Sequence, residues 1–168
     1  MTQREAALKL AISYIGKEEV PRGSNSGPFV KECLATVGIK FPAAWCQAMA
    51  YRCYSEGAKE AGVACTAIKT AGVLDNWNKT DASMKLLPHE FLAHPELILP
   101  GYQMILKEGD TTGHTGIIER VVINEAHPEQ SMAYVIEGNT NDNGSREGYG
   151  VFRKLRKLSG MHGIIKHD

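Results

Sequence analysis

A thiol, an imidazole and a carboxylate stand in this sequence in settings suited to nucleophilic catalysis. Cys46 follows Phe41-Pro42-Ala43-Ala44-Trp45, a proline-bearing loop that runs into a helical apolar pattern. The first N–H groups of a helix are unpaired and carry partial positive charge, which favours a thiolate. The competing reading is that Cys46 is a small buried hydrophobe. Cys33, Cys53 and Cys65 take that second reading, because they lie in apolar patterns without such a loop.

A nucleophilic cysteine needs a base. His114 lies in Thr112-Gly113-His114-Thr115-Gly116-Ile117-Ile118, with small residues around the ring and an apolar strand after it. Taken alone, such a histidine is more often structural or simply exposed. The third element is Tyr134-Val135-Ile136-Glu137-Gly138-Asn139. A carboxylate at the end of an apolar strand is costly without a partner. Strand alternation would put Glu137 and Asn139 on one face. Either could then hold the second imidazole nitrogen if the two strands are neighbours. Read blandly, Glu137 is a strand-end acid in solvent and Asn139 a left-handed turn residue.

Other signals fail. In His89-Glu90-Phe91-Leu92-Ala93-His94 the histidines are five apart, one residue too many for zinc chelation on one helix face. No CxxC pair occurs among the four cysteines, which excludes a zinc ribbon or thioredoxin-type motif. The glycine- and asparagine-rich stretch 138–150 lacks the Gly-Lys-Ser/Thr of a phosphate loop and reads as turn chemistry. The sequons at Asn78 and Asn143 mean little without a secretory route. No metal and no cofactor is expected.

The elements that must position these groups follow from pattern. Leu8, Ala11, Ile12 and Ile15 repeat at helical spacing and are expected to pack on the core. Phe29 to Val37 forms a second helical pattern stopped by Gly38, and a third runs from Cys46 to about Gly62. Residues 65–100 are mixed. From Tyr102 the texture turns to short strands, at 102–106, 114–123, 132–138, 150–156 and 161–166. Helices followed by strands predict one α+β domain over 1–168, with N-terminal helices on a C-terminal antiparallel sheet.

The chain has 168 residues, 19 Lys+Arg and 19 Asp+Glu, hence zero net charge. That disfavours nucleic-acid binding by phosphate neutralisation and a polybasic membrane anchor. No apolar run is long enough to span a bilayer. Glu5 and Lys9 interrupt what would be a signal-peptide core.

In these features the chain resembles the CHAP domains, cysteine- and histidine-dependent amidohydrolases/peptidases that cut bacterial peptidoglycan. The resemblance rests on Gly23-Ser24-Asn25-Ser26-Gly27, Ala44-Trp45-Cys46, Gly113-His114-Thr115-Gly116-Ile117 and Ile136-Glu137-Gly138-Asn139-Thr140-Asn141, then 144–151, and spans residues 8–156. It implies a papain-like α+β fold. It implies Cys46 as nucleophile, His114 as base, Glu137 as the residue orienting the imidazole and Asn139 as a further polar member. It also implies Asn25 and Trp45 as substrate-binding residues, with Asn25 a candidate second oxyanion donor beside the Cys46 backbone N–H. Pro100-Gly101-Tyr102 replaces the family's Pro-Gly-Asp, and 18–27 lacks an acidic calcium loop. The implied substrate is peptidoglycan, cut as an N-acetylmuramoyl-L-alanine amidase or a stem endopeptidase. The protein is expected to be a monomer without a wall-binding domain or membrane insertion. It would be made in a bacterial or phage-infected cytoplasm and act at the wall after release by a holin or secretion machine. A cytoplasmic cysteine amidase and a non-catalytic wall-peptide binding module are the alternatives.

Overall fold

The computed structural model describes residues 1–140 and 148–168. In chain order its main elements are α1 (Gln3–Ser13), α2 (Pro28–Thr36), α3 (Cys46–Ala61), α4 (Val73–Lys79), β1 (Lys85–Leu86), α5 (Pro88–Ala93), β2 (Gln103–Lys107), β3 (Gly113–Val122), β4 (Met132–Thr140), β5 (Gly150–Lys157) and β6 (Gly163–Ile165). The six strands make one sheet in the order β1-β6-β2-β3-β4-β5, and every paired neighbour is antiparallel. The architecture is therefore α+β, with helices preceding the sheet as the patterning predicts. The structure adds α4, α5 and β1 to the mixed stretch 65–100, and it shortens the last strand to three residues.

Local chemistry sets the helix limits. Thr2 caps α1 by accepting from the Glu5 N–H at 3.3 Å, while the Glu5 carboxylate accepts from the Thr2 N–H at 2.8 Å; such a box stabilises a helix by about 1 kcal/mol. Pro28 opens α2 at a position that has no intrahelical donor to lose. Gly62 closes α3 in the left-handed conformation.

One patterning expectation is overturned. The face of α1 that packs inward is Gln3, Ala6, Ala7 and Ala11, whereas Ile12 and Ile15 are exposed and Leu8 is only half-buried. Backbone proximity explains this. A Cβ at Gly57 of α3 would stand 2.8 Å from the Ala7 nitrogen, so α1 and α3 meet through their smallest residues and leave no room for a branched stripe between them.

Two apolar clusters hold the sheet from opposite sides. Trp45, Met49, Cys53 and Tyr54 pack with Ile117, Ile136 and Val151 on the helical side. Phe91, Met104, Ile118, Val135 and Ile164 fill the other side. Each fully buried side chain of this size contributes about 1.5–3 kcal/mol. A smaller cluster of Cys46, Val73, Trp77, Ile105 and Ile165 fixes the start of α3 against α4, β2 and β6.

Candidate active site

Cys46 is the first residue of α3, and it is buried but for a small surface. Its backbone N–H is one of those at the helix start without an intrahelical acceptor. His114 lies one residue into β3 and pairs in register with Leu106 of β2. β4 lies on the other side of β3 and supplies Glu137, whose carboxylate is wholly buried. His114 Nε2 and Glu137 Oε2 are 2.8 Å apart. With Nε2 taken, Nδ1 is the nitrogen left for the Cys46 side chain, which lies close enough to favour the protonated ring.

Gly116 makes the His114–Glu137 contact possible. A Cβ there would lie 2.7 Å from Glu137 Cγ and 2.6 Å from Val135 Cγ1. Any side chain at Gly116 would therefore displace the one that orients the base.

A fourth member escapes sequence reading. Arg156 of β5 grips the same carboxylate through two hydrogen bonds, Nε to Oε1 at 2.7 Å and Nη2 to Oε2 at 2.6 Å. In the sequence it is one of four basic residues, Arg153, Lys154, Arg156 and Lys157, on an ordinary strand, and only the fold shows that it reaches Glu137. Burial alone would push the Glu137 carboxyl up. The hydrogen bonds from Arg156 and then His114, with their charges, hold it below the usual carboxylate range. For His114, burial alone would favour the neutral ring. Hydrogen bonds to Cys46 and Glu137, and the negative charge of both, outweigh that and raise it to about 10. The arrangement thus favours a protonated imidazole held against an ionised carboxylate, with Cys46 on its other side.

The next residue of β3 leads into a different environment. Gln103 Nε2 donates to Thr115 Oγ1 at 2.9 Å and to Gln47 Oε1 at 3.0 Å. Gln103 Oε1 accepts from Asn76 Nδ2 at 3.1 Å and faces His167 Nε2 at 3.2 Å. Since that oxygen can only accept, His167 carries its proton on Nε2, and Nδ1 is left to accept from Thr66 Oγ1 at 2.9 Å. His167 is fully buried, stacks on Tyr54 at 3.8 Å between ring centroids, and is pushed down to about 3 by burial. Gln103 therefore bonds to the residue after the nucleophile and to the residue after the base. Nothing in the local sequence marks it or His167.

The remaining site expectations fare differently. Asn139 does not share a regular face with Glu137. It adopts the left-handed conformation (φ 54) within a register shift between Glu137 and Thr140, and no hydrogen bond joins its side chain to His114 among the described residues. Trp45 is fully buried in the core, and its indole N–H donates to Glu19 Oε1 at 2.9 Å. The other Glu19 oxygen accepts from the Asn25 backbone N–H at 3.1 Å. Asn25 itself lines a pocket of about 390 Å³. The turn chemistry read over 139–148 and the sequon at Asn143 fall largely on 141–147, outside the described residues.

Cys33 and Cys53 are buried thiols. Burial raises Cys33 to about 11 against the opposing effect of Arg52, and burial raises Cys53 well above the usual thiol range. Cys65 is exposed, though partial burial of its sulfur also raises it. His89 and His94 stand at the ends of α5, and no group of three His, Cys, Asp or Glu among the described residues is arranged to hold a metal. No helix among them is long and apolar enough to cross a membrane. Comparison with protein-family models, with curated proteins and with solved structures gives no match.

Proposed function

We propose that this protein is a papain-like cysteine hydrolase of the CHAP type that cleaves an amide bond in bacterial peptidoglycan. The observation that carries the reading is the buried chain Cys46–His114–Glu137, with the imidazole 2.8 Å from an ionised carboxylate and the thiol at a helix start. A binding module has no use for a buried ion pair aimed at a thiol.

The reaction follows from those groups. The Cys46 thiolate attacks the scissile carbonyl carbon while the His114 imidazolium stands by with the proton. The oxyanion that forms is met by the Cys46 backbone N–H, which has no intrahelical acceptor. Collapse breaks the C–N bond, and His114 gives its proton to the departing amine, leaving a thioester. Neutral His114 then takes a proton from water as the hydroxyl adds to the thioester carbonyl. Expulsion of the thiolate frees the carboxylic acid and restores the ion pair. Glu137 stays ionised throughout and stabilises the imidazolium whenever it forms.

The bond cut is the muramoyl–alanine amide or one within the peptide stem. The site of action would be the cell wall, reached after release from the cytoplasm. Digestion of purified wall followed by mass spectrometry tests both statements. A free lactyl group on muramic acid identifies an amidase, and new amino termini within stems or bridges identify an endopeptidase. Wall left intact under conditions where Cys46 is reduced contradicts the reading.

A further inference from the structure

The pocket lined by Asn25 lies between the second half of α2 and the loop that leads into Cys46. Leu34 and Ile39 form an apolar floor, and Phe41 stands at the rim with 64% of its surface exposed. Lys31 and Lys40 also line it, and no carboxylate residue does. Neither lysine has an ion-pair partner among the described residues, whereas exposed Arg22 pairs with Glu18 and half-buried Arg52 with Glu32 and Glu56.

The pocket is coupled to the nucleophile in two ways. Pro42, one of its walls, is four residues before Cys46 in the same loop. Glu19 is buried and joins Asn25 on the pocket wall to Trp45, the neighbour of Cys46, with one carboxylate oxygen on each. A ligand seated here would thus rest on the segment that presents the thiol.

We infer that this pocket seats the carboxylate-bearing peptide stem of the substrate, with Lys31 and Lys40 as its counter-charges. The inference rests on the peptidoglycan reading and narrows it to a mode of recognition. Such stems combine small methyl side chains with free carboxylates. The methyls suit the floor of Leu34 and Ile39 and the rim at Phe41, and the carboxylates suit two unpaired ammonium groups. A neutral or cationic peptide would leave both lysines without a partner.

The test uses the whole chain carrying Cys46→Ala, which cannot turn over. Two synthetic stem tetrapeptides are titrated into it, one with free carboxylates and one with every carboxyl as a carboxamide, and methyl and amide NMR shifts are followed at Leu34, Ile39 and Phe41. The free acid should bind about tenfold more tightly, shift those residues, and weaken as salt rises. Lys31→Glu and Lys40→Glu should each weaken it by about fivefold, whereas Lys59→Glu near the other end of α3 should not. Equal binding of acid and carboxamide, shifts confined elsewhere, or no binding of either peptide overturns the inference. Wall digestion by the unmodified protein separates this from the parent reading. Digestion without pocket binding sinks only the pocket; pocket binding of the free acid without digestion sinks only the hydrolase.

Discussion

Two histidines in this fold, His167 fully buried and His114 with 12% of its side chain exposed, have opposite electrostatic fates. His114 is raised to about 10 and His167 is lowered to about 3. Both rings are nearly or fully removed from water, and both offer Nε2 to a side-chain oxygen, at 2.8 and 3.2 Å. What separates them is that Glu137 is a carboxylate with a guanidinium behind it, whereas Gln103 is a carboxamide within a neutral network. Burial penalises the charged ring in each case, and only a nearby anion reverses it. The contrast also separates roles. The charged chain can store and deliver a proton. The neutral network fixes a tautomer and ties α3 to β2 and β3, and it has no proton to exchange near neutral pH.

The most damaging change should be Glu137→Gln, which makes the His114 environment resemble that of His167. Loss of one partner of this kind can lower turnover by on the order of 10⁴. Single-turnover rates should show this with the circular dichroism spectrum unchanged, and Asn139→Ala should do much less harm. If Asn139→Ala is the more damaging, the roles of the two residues are reversed.

Arg156→Met comes next. Without the guanidinium, burial pushes the Glu137 carboxyl upward, so the acid limb of the rate profile should move to higher pH. Each unit of that shift above the working pH costs roughly tenfold in ionised carboxylate. Arg156→Lys keeps the charge and should restore most of the profile. A profile in Arg156→Met that matches the parent would make Arg156 a tie between strands and nothing more.

Gln103→Glu attempts the reverse conversion, giving His167 an anionic neighbour. His167 should then titrate far above its present value, read from the C2–H shift in NMR. A ring that stays neutral to pH 4 in this variant would show that burial there outweighs an adjacent charge.

The smallest effects are on stability. His167 is held below the ordinary histidine value of 6.5, so the folded state binds fewer protons than the unfolded chain below that value. Its contribution is present in full above about pH 6.5 and is lost as pH falls toward 3, at about 1.4 kcal/mol per pH unit. His167→Gln should flatten the acid side of the denaturation curve. His114 has the opposite sign. Its contribution is complete below about 6.5 and is lost as pH rises through about 10.

Much of this was legible in the residues. Alternation and turn signals located β2, β3 and β5 to within a residue and β4 to within two, because each is long enough to carry a period. The loop-then-helix signal placed Cys46 at a helix start; that the strands of His114 and Glu137 are neighbours was only a condition in the sequence, and the sheet meets it. What escaped depends on distant chain segments. Arg156 reaches Glu137 across 19 residues, and Gln103 bonds to Gln47 across 56; local pattern carries no trace of either. The inward face of α1 was misjudged because apolar spacing says nothing of how closely two backbones approach. Asn139 was placed by strand alternation that a register shift breaks.

The reactivity of the four thiols tests the central claim most directly. Cys65 is exposed and Cys46 is buried but for 7% of its surface, so exposure alone would make Cys65 the faster. Cys46 should nonetheless react first, because it starts a helix and stands beside the His114 imidazole. A substoichiometric pulse of iodoacetamide at pH 6, followed by peptide mapping, should label Cys46 first, and His114→Ala should slow that labelling. Faster labelling of Cys65, or wall digestion that survives complete modification of Cys46, would contradict the assignment of Cys46 as the nucleophile.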